Sequence, residues 1–209
     1  ILPLVTMAIL ATAGPFIYIY FERRAEDRLL REQRQYQSTL KQASIGMTRI
    51  RNLTKLLNLI AHIVTKTVHI TYASIYLYER DKDCYALRVC RDNGRMPISE
   101  LSQDNPLIQW IISKKQSLIC EEIKRKAEET KSNAYKELKG ILETLYASVI
   151  IPSYLEDKLI GFLVLGEKVS GHAYTPEDIN VFEVLASQAA LAIENAQFYE
   201  EAKEMQAQI

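Results

Sequence analysis

Leu159–Glu201 reads LIGFLVLGEKVSGHAYTPEDINVFEVLASQAALAIENAQFYEE. Its first seven residues, Leu159 to Leu165, are apolar without a polar interruption, the pattern of a central strand covered on both faces. Thr175-Pro176-Glu177-Asp178 then has the chemistry of a helix start. Thr is an N-cap, Pro fits the first helical position, and the two acids face the positive end of the helix dipole. From Pro176 to about Gln208 the spacing predicts one long helix with Ile179, Phe182, Ala186, Ala189, Ile193 and Ala196 on one face. A covered strand followed by a one-sided helix calls for a sheet layer packed against helices.

Reading outward supports this. Tyr146–Ser153 (YASVIIPS) is strand-like, and Glu156-Asp157-Lys158 supplies a hairpin turn into Leu159. Ala73–Tyr78 (ASIYLY) and Cys84–Cys90 (CYALRVC) are rich in the β-branched and aromatic residues that suit a pleated surface. Glu79–Asp83 is the polar turn between them, and Asp92-Asn93-Gly94 is the turn after them. Asn105-Pro106 starts a helix to Lys114 carrying Trp110, and Ser117–Cys120 is a short strand. Glu121–Thr144 is charged and helix-prone, with an expected interruption at Gly140. Hairpins separated by helices define the α+β class, with an antiparallel sheet of five or six strands.

The 209 residues carry 26 basic and 26 acidic side chains, so no global field draws the chain to nucleic acid. Residues 1–20 contain no charge, and about twenty apolar residues at 1.5 Å rise span a hydrocarbon core of roughly 30 Å. Tyr18 and Tyr20 fit an interfacial belt, and Arg23, Arg24, Arg28 and Arg31 mark the following side as cytoplasmic. Residues 1–21 are therefore expected to be a transmembrane helix in the inner, cytoplasmic membrane, preceding a cytoplasmic domain. From Glu22 to about Lys66 the pattern is helical. Leu29, Tyr36, Leu40, Met47, Ile50 and Leu57 form a near-heptad seam, which with Ile179, Phe182, Ala186, Ala189 and Ile193 is the expected homodimer contact. The expected division is a membrane helix at 1–21, a signalling helix at 22–49, one domain at 50–201 and the start of a linker at 202–209.

Several motifs in this order, Leu159-Ile160-Gly161, Leu165-Gly166-Glu167-Lys168, Tyr174 to Asp178 and Ala192-Ile193-Glu194-Asn195-Ala196, resemble the closing strand and last helix of GAF domains. The likeness is to those of bacterial membrane-bound sensor histidine kinases. Asn105-Pro106-Leu107-Ile108 and Ile151-Pro152 fit the middle of the same family. The resemblance implies a PAS-related sheet with the first and last helices on one face and any ligand pocket on the other, beneath a variable insert. Cyclic-nucleotide members carry Asn-Lys, Phe and Asp-Glu where this chain has Glu167-Lys168, Tyr174 and Glu177-Asp178. Lys168 with Glu177 or Asp178 is therefore read as a structural ion pair, not a nucleotide site. No cysteine precedes a histidine, which argues against covalent bilin attachment.

Tyr76, Tyr78, Trp110, Ile119, Tyr135 and Leu142 are the expected lining for an unidentified small molecule, with no cofactor predicted. Cys84, Cys90 and Cys120 form no CxxC pair, and His62 and His69, two turns apart, cannot close on one ion, so no metal site is expected. His62, His69 and His172 are not followed by an acid as a phosphoacceptor would be, and no Gly-rich phosphate loop is present. The sequence reads as a non-catalytic sensory and dimerisation module, a piece of a longer protein. Its expected output beyond Ile209 is a histidine kinase acting on a response regulator, with a cyclic-di-GMP enzyme or a phosphatase as second choices. The alternatives are a ligand-free scaffold and a cysteine-dependent reductase of free methionine sulfoxide. Against the reductase, Cys84 and Cys90 are expected on one face of a strand about 20 Å apart.

Overall fold

The computed structural model describes residues 50, 52–91, 94, 97–130 and 132–207. Six antiparallel strands form one sheet in the order β3-β2-β1-β6-β5-β4. They are β1 (Ala73–Glu79), β2 (Cys84–Arg91), β3 (Glu100–Ser102), β4 (Leu118–Ile119), β5 (Val149–Leu155) and β6 (Lys158–Leu165). The apolar run takes the central place expected of it, since β6 pairs with both β1 and β5 and seven of its eight residues are buried.

One face is covered by α1 (Leu53–Val68) and α5 (Pro176–Ala207), which also touch each other. α1 contributes Leu56, Leu57, Ile60, Ala61 and Val64, all at most 3% exposed. The opposite face carries α2 (Pro106–Lys114), α3 (Cys120–Thr130) and α4 (Asn133–Thr144). The core there centres on Tyr76, Tyr85, Phe162, Leu107, Ile108 and Ile111.

Several local expectations change. In the stretch whose pattern is helical from Glu22 to about Lys66, the described helix begins only at Leu53. Ile50 is not helical, and Asn52 is extended (φ −91°, ψ 117°), its side chain accepting the Lys55 N–H at 2.8 Å. A short polar side chain that bonds to the backbone favours such a start over the middle of a helix. Gly140 does not interrupt the insert. It lies inside α4, and the break falls between Thr130 and Asn133, because Leu138 and Leu142 anchor α4 in the core. β3 had no counterpart in the sequence reading; three residues leave too short an alternation to see. Among the described residues no helix is long and apolar enough to cross a membrane. The expected span at 1–21, the expected helix at 22–49 and the seam residues Leu29, Tyr36, Leu40 and Met47 lie outside the described residues.

Candidate functional site

The start of α5 is tied to the end of β6 by a buried polar network. Thr175 and Asp178 cap the helix reciprocally: the Asp178 N–H donates to Thr175 Oγ1 at 3.2 Å and the Thr175 N–H to Asp178 Oδ2 at 2.8 Å. The same carboxylate oxygen receives the Lys168 ammonium. Lys168 Nζ also lies 5.1 Å from the centre of the Tyr174 ring. The Tyr174 hydroxyl donates to Gly166 O at 2.5 Å, and its ring meets Phe182 edge-on at 6.1 Å. Lys168 thus pairs with Asp178 and not with the exposed Glu177. Burial pushes the Asp178 carboxyl up, against the Thr175 N–H that holds it down, and burial pushes the Lys168 ammonium down. The ion pair opposes both tendencies, since each charge stabilises the other.

Beside this network opens a cleft of about 560 Å³. Cys120, Glu121 and Lys124 from the first turn of α3 form one wall, and Leu142, Glu143 and Tyr146–Ser148 around the end of α4 form another. The third is the β6–α5 loop, with Glu167, Lys168, Gly171, His172, Ala173 and Tyr174. Tyr146 and Gly171 hold positive φ (53° and 73°), which turns the chain sharply at both edges. The Tyr146 ring packs edge-on against Tyr72 at 6.1 Å. The lining thus mixes three carboxylates, two ammonium groups, an imidazole and two phenol rings. Burial pushes the Cys120 thiol up to about 12, so at neutral pH it is protonated and a poor nucleophile. The cleft thus presents charges of both signs, with hydrogen-bond donors and acceptors, to whatever enters it.

Of the six expected lining residues, Ile119 and Leu142 border the cleft. Tyr76 is fully buried, its ring stacked on Phe162 at 4.9 Å and its hydroxyl donating to Ile98 O at 2.6 Å. Tyr78, Trp110 and Tyr135 pack against the same core, and the Tyr78 hydroxyl donates to Asp83 at 2.6 Å. The space beneath α2 is therefore filled by the chain's own rings, and the opening is displaced toward the β6–α5 loop. Neither Tyr146 nor His172 is among the expected lining residues, yet both border the cleft. Three segments far apart in sequence meet here, and the glycine-bearing loop before the helix start was the one local sign.

The expected dimer face is occupied. Phe182, Ala186, Ala189 and Ile193 are at most 5% exposed, pressed against the domain's own sheet, and the Ser153 hydroxyl donates to Ala186 O at 2.6 Å. Leu57 is likewise 2% exposed, and Ile179 is half-buried. Of these residues only Ile179 keeps appreciable exposed surface.

The cysteines do not converge. A bulge in the β1–β2 register pairs Ile75 with Val89 and Tyr76 with Leu87, leaving Arg88 as the extra residue. It inverts the alternation, so Cys84 points to the α1–α5 side and Cys90 to the other, contrary to the shared face expected from their spacing. Donor atoms of Glu79, Cys84 and Glu100 lie within 4.8 Å of one another. Lys82 already sits among the carboxylates, 2.8 Å from Glu100 and 3.7 Å from Glu79, with Arg88 3.6 Å from Glu79. The two carboxylates are thus already paired with cations, and Cys84 is buried.

A sheet sandwiched between a helix pair and a helical insert, with a polar cleft at the insert's edge, has the architecture of a sensory domain. The family model of the GAF domain matches residues 51–194, and the chain belongs to this family. A curated relative, diguanylate cyclase A of Treponema denticola, is 26% identical over 189 residues, covering 85% of this chain and 48% of the relative. The chain thus spans about half the length of that protein. Among solved structures, the GAF domain of a phosphoenolpyruvate-protein phosphotransferase from Coxiella burnetii aligns with TM-score 0.60 at 17% identity, covering 81% of this chain and 98% of that one. Residues 122 to 287 of a methyl-accepting chemotaxis protein align with TM-score 0.59 at 13% identity, over 75% and 97% of the chains. The free methionine-R-sulfoxide reductase of Neisseria meningitidis, in complex with its substrate, aligns with TM-score 0.58 at 12% identity, over 79% and 92%. At these identities the structures attest the fold alone.

Proposed function

We propose that this GAF sensory domain takes a small polar molecule in the cleft and passes its occupancy through α5 to an output domain of the diguanylate cyclase type. The observation that carries the reading is continuity. The loop that walls the cleft is the same loop that, through Lys168, Tyr174 and Asp178, anchors the first turn of α5. A ligand contacting Lys168 or His172 bears directly on that anchor, and packed helices respond in discrete shifts. The relative's name favours a cyclase output over the histidine kinase and response regulator expected at first. A membrane tether through residues 1–21 fits the uncharged composition of that stretch. The module itself is non-catalytic in this reading. Burial holds the Cys120 thiol protonated, and the three cysteines sit on different faces or elements, which weighs against a reductase.

The test is a thermal-shift screen of the chain against amino acids, nucleotides and small carboxylates, repeated on Lys124→Ala and His172→Ala. A hit in the parent that is lost in both variants supports the cleft. A screen with no hits, or hits indifferent to both substitutions, overturns it. The ligand-free scaffold is the second reading, favoured by the filled space around Tyr76 and Phe162.

A further inference from the structure

The charges lining the cleft do not balance. Lys168 is already answered by Asp178, so the charged groups left facing the opening are Glu121, Glu143 and Glu167 against Lys124, with the His172 imidazole beside them. Among the described residues no ion pair engages any of these three carboxylates or Lys124. The helix ends add to the bias. The positive ends of α3 and α5 already have their acids, Glu121 and Glu122 in one first turn and Glu177 and Asp178 in the other. α4 brings its negative end to the cleft, with Glu143 in the last turn and no basic residue there. A phosphate or a dicarboxylate would meet like charge on most of this lining. A single metal ion fits no better, because its donors must converge. Among the described residues the donor atoms that gather within 4.8 Å belong to Glu79, Cys84 and Glu100, and no such group of three forms in the cleft. A cationic occupant must therefore be extended, with positive groups held apart by a chain. Ile119, Leu142 and Ala147 supply apolar lining for that chain.

Taking the cleft as a ligand site, as in the function proposed above, we infer that it selects an α-amino acid with a cationic side chain, of the kind of ornithine, lysine or arginine. Each wall offers one charged contact: Glu143 from the end of α4, Glu167 from the loop after β6, and Lys124 from α3. The ligand carries the complementary set, two cations and one carboxylate. Glu121, three residues before Lys124, offsets the positive end of α3 and needs no third cation. A diamine answers both outer acids but leaves Lys124 without an anion. A neutral or acidic amino acid leaves Glu143 or Glu167 without a cation. Glu167 is a firm point to hold. Its carbonyl oxygen accepts the Thr71 N–H at 2.9 Å and the Thr71 hydroxyl at 3.1 Å, which ties this residue to the segment leading into β1. Its neighbour is Lys168, so a cation drawn to Glu167 lies next to the ammonium that anchors α5.

The experiment is isothermal titration of the 209-residue chain, in mild detergent at low salt, with lysine, ornithine and arginine, and with glutamate, glutamine and putrescine as contrasts. The basic amino acids should bind more tightly than all three contrasts. Glu143→Gln and Glu167→Gln should each weaken them about tenfold, the loss of one charge-assisted hydrogen bond. Lys124→Ala should weaken lysine about tenfold and leave putrescine no weaker than before. Glu128→Gln, an exposed acid of α3 outside the cleft lining, should leave the Kd of lysine within about twofold, which separates the cleft from general attraction to surface acids. Glu143 and Glu167 are exposed, so circular dichroism of their variants should match the parent. Basic amino acids that bind no better than putrescine, or that are indifferent to Glu143→Gln and Glu167→Gln, overturn the inference. Glutamate or glutamine binding in their place, with loss in Lys124→Ala and His172→Ala, overturns it while the cleft stands as a ligand site. No binding by any of the six probes overturns it as well, and the broader thermal-shift screen then decides the cleft separately.

Discussion

Replacing Lys168 by Met probes the anchor of α5 directly. Asp178 is 1% exposed at its side chain and Lys168 14%. Removing the ammonium leaves a buried carboxylate with only the Thr175 N–H as a close donor. Breaking one side of a buried pair typically costs about 3–5 kcal/mol. The partial access of water to this site places the expected loss near the lower end, about 3 kcal/mol. For a domain of this size that is a fall in Tm of roughly 6–12 °C. Lys168→Met with Asp178→Asn keeps an acceptor for the Thr175 N–H and removes the stranded charge, so it should regain most of the loss. The double-mutant cycle should return a coupling of about 2 kcal/mol. The pH dependence has a fixed sign. Burial already raises the Asp178 carboxyl above its unfolded value, and losing Lys168 raises it further. The folded variant then holds a proton that the unfolded chain has released, so its deficit is complete above the folded pKa and disappears below the unfolded one. Calorimetry of parent and variant between pH 8 and pH 4.5 reads this as a gap that narrows toward acid. A Lys168→Met protein melting within about 1 °C of the parent at pH 8, or a gap independent of pH, would refute the assignment of Lys168–Asp178 as a coupled buried pair.

Gly161→Ala should prevent stable folding or cost about 3 kcal/mol or more, because a Cβ there meets the Tyr76 carbonyl oxygen at 2.2 Å and Leu77 Cδ2 at 2.8 Å; urea unfolding reads it. Gly140→Ala should stabilise by about 0.5–1 kcal/mol in the same assay, since an added Cβ meets nothing within 4 Å in the middle of α4. In thiol labelling at neutral pH, exposed Cys90 should react at once, while buried Cys84 and Cys120 should react only as the domain unfolds; rapid labelling of native Cys120 would contradict the burial that pushes its thiol up to about 12.

The parts of the fold legible in the sequence are those with local signatures. The apolar β6 run and the Thr175-Pro176 start need no knowledge of the rest of the chain. Asn105 at the start of α2 is similar, its side chain accepting the Leu107 N–H at 3.0 Å. The β2 bulge at Arg88 was not legible, because alternation fixes faces only where pairing is regular, and here one extra residue moves Cys90 across the sheet. The cleft was illegible for another reason. Its walls come from around Cys120, Tyr146 and His172, and nothing local marks segments that meet only in the folded chain.

The helix α5 shows how the two kinds of information combine. Its sequence contains two interleaved stripes with the same 3–4 spacing, Ile179-Phe182-Ala186-Ala189-Ile193 and Val181-Val184-Gln188-Leu191-Asn195. Hydrophobicity alone selects the first as a partner surface, because it is the more apolar. The sheet claims that stripe for the same reason, since a domain core removes more water from such residues than a two-helix seam. A change at the Lys168–Asp178 anchor acts on a helix held along its apolar face by its own sheet. A displacement of that first turn therefore has to be carried along the helix or absorbed by repacking on the sheet, and the first outcome would make α5 a relay.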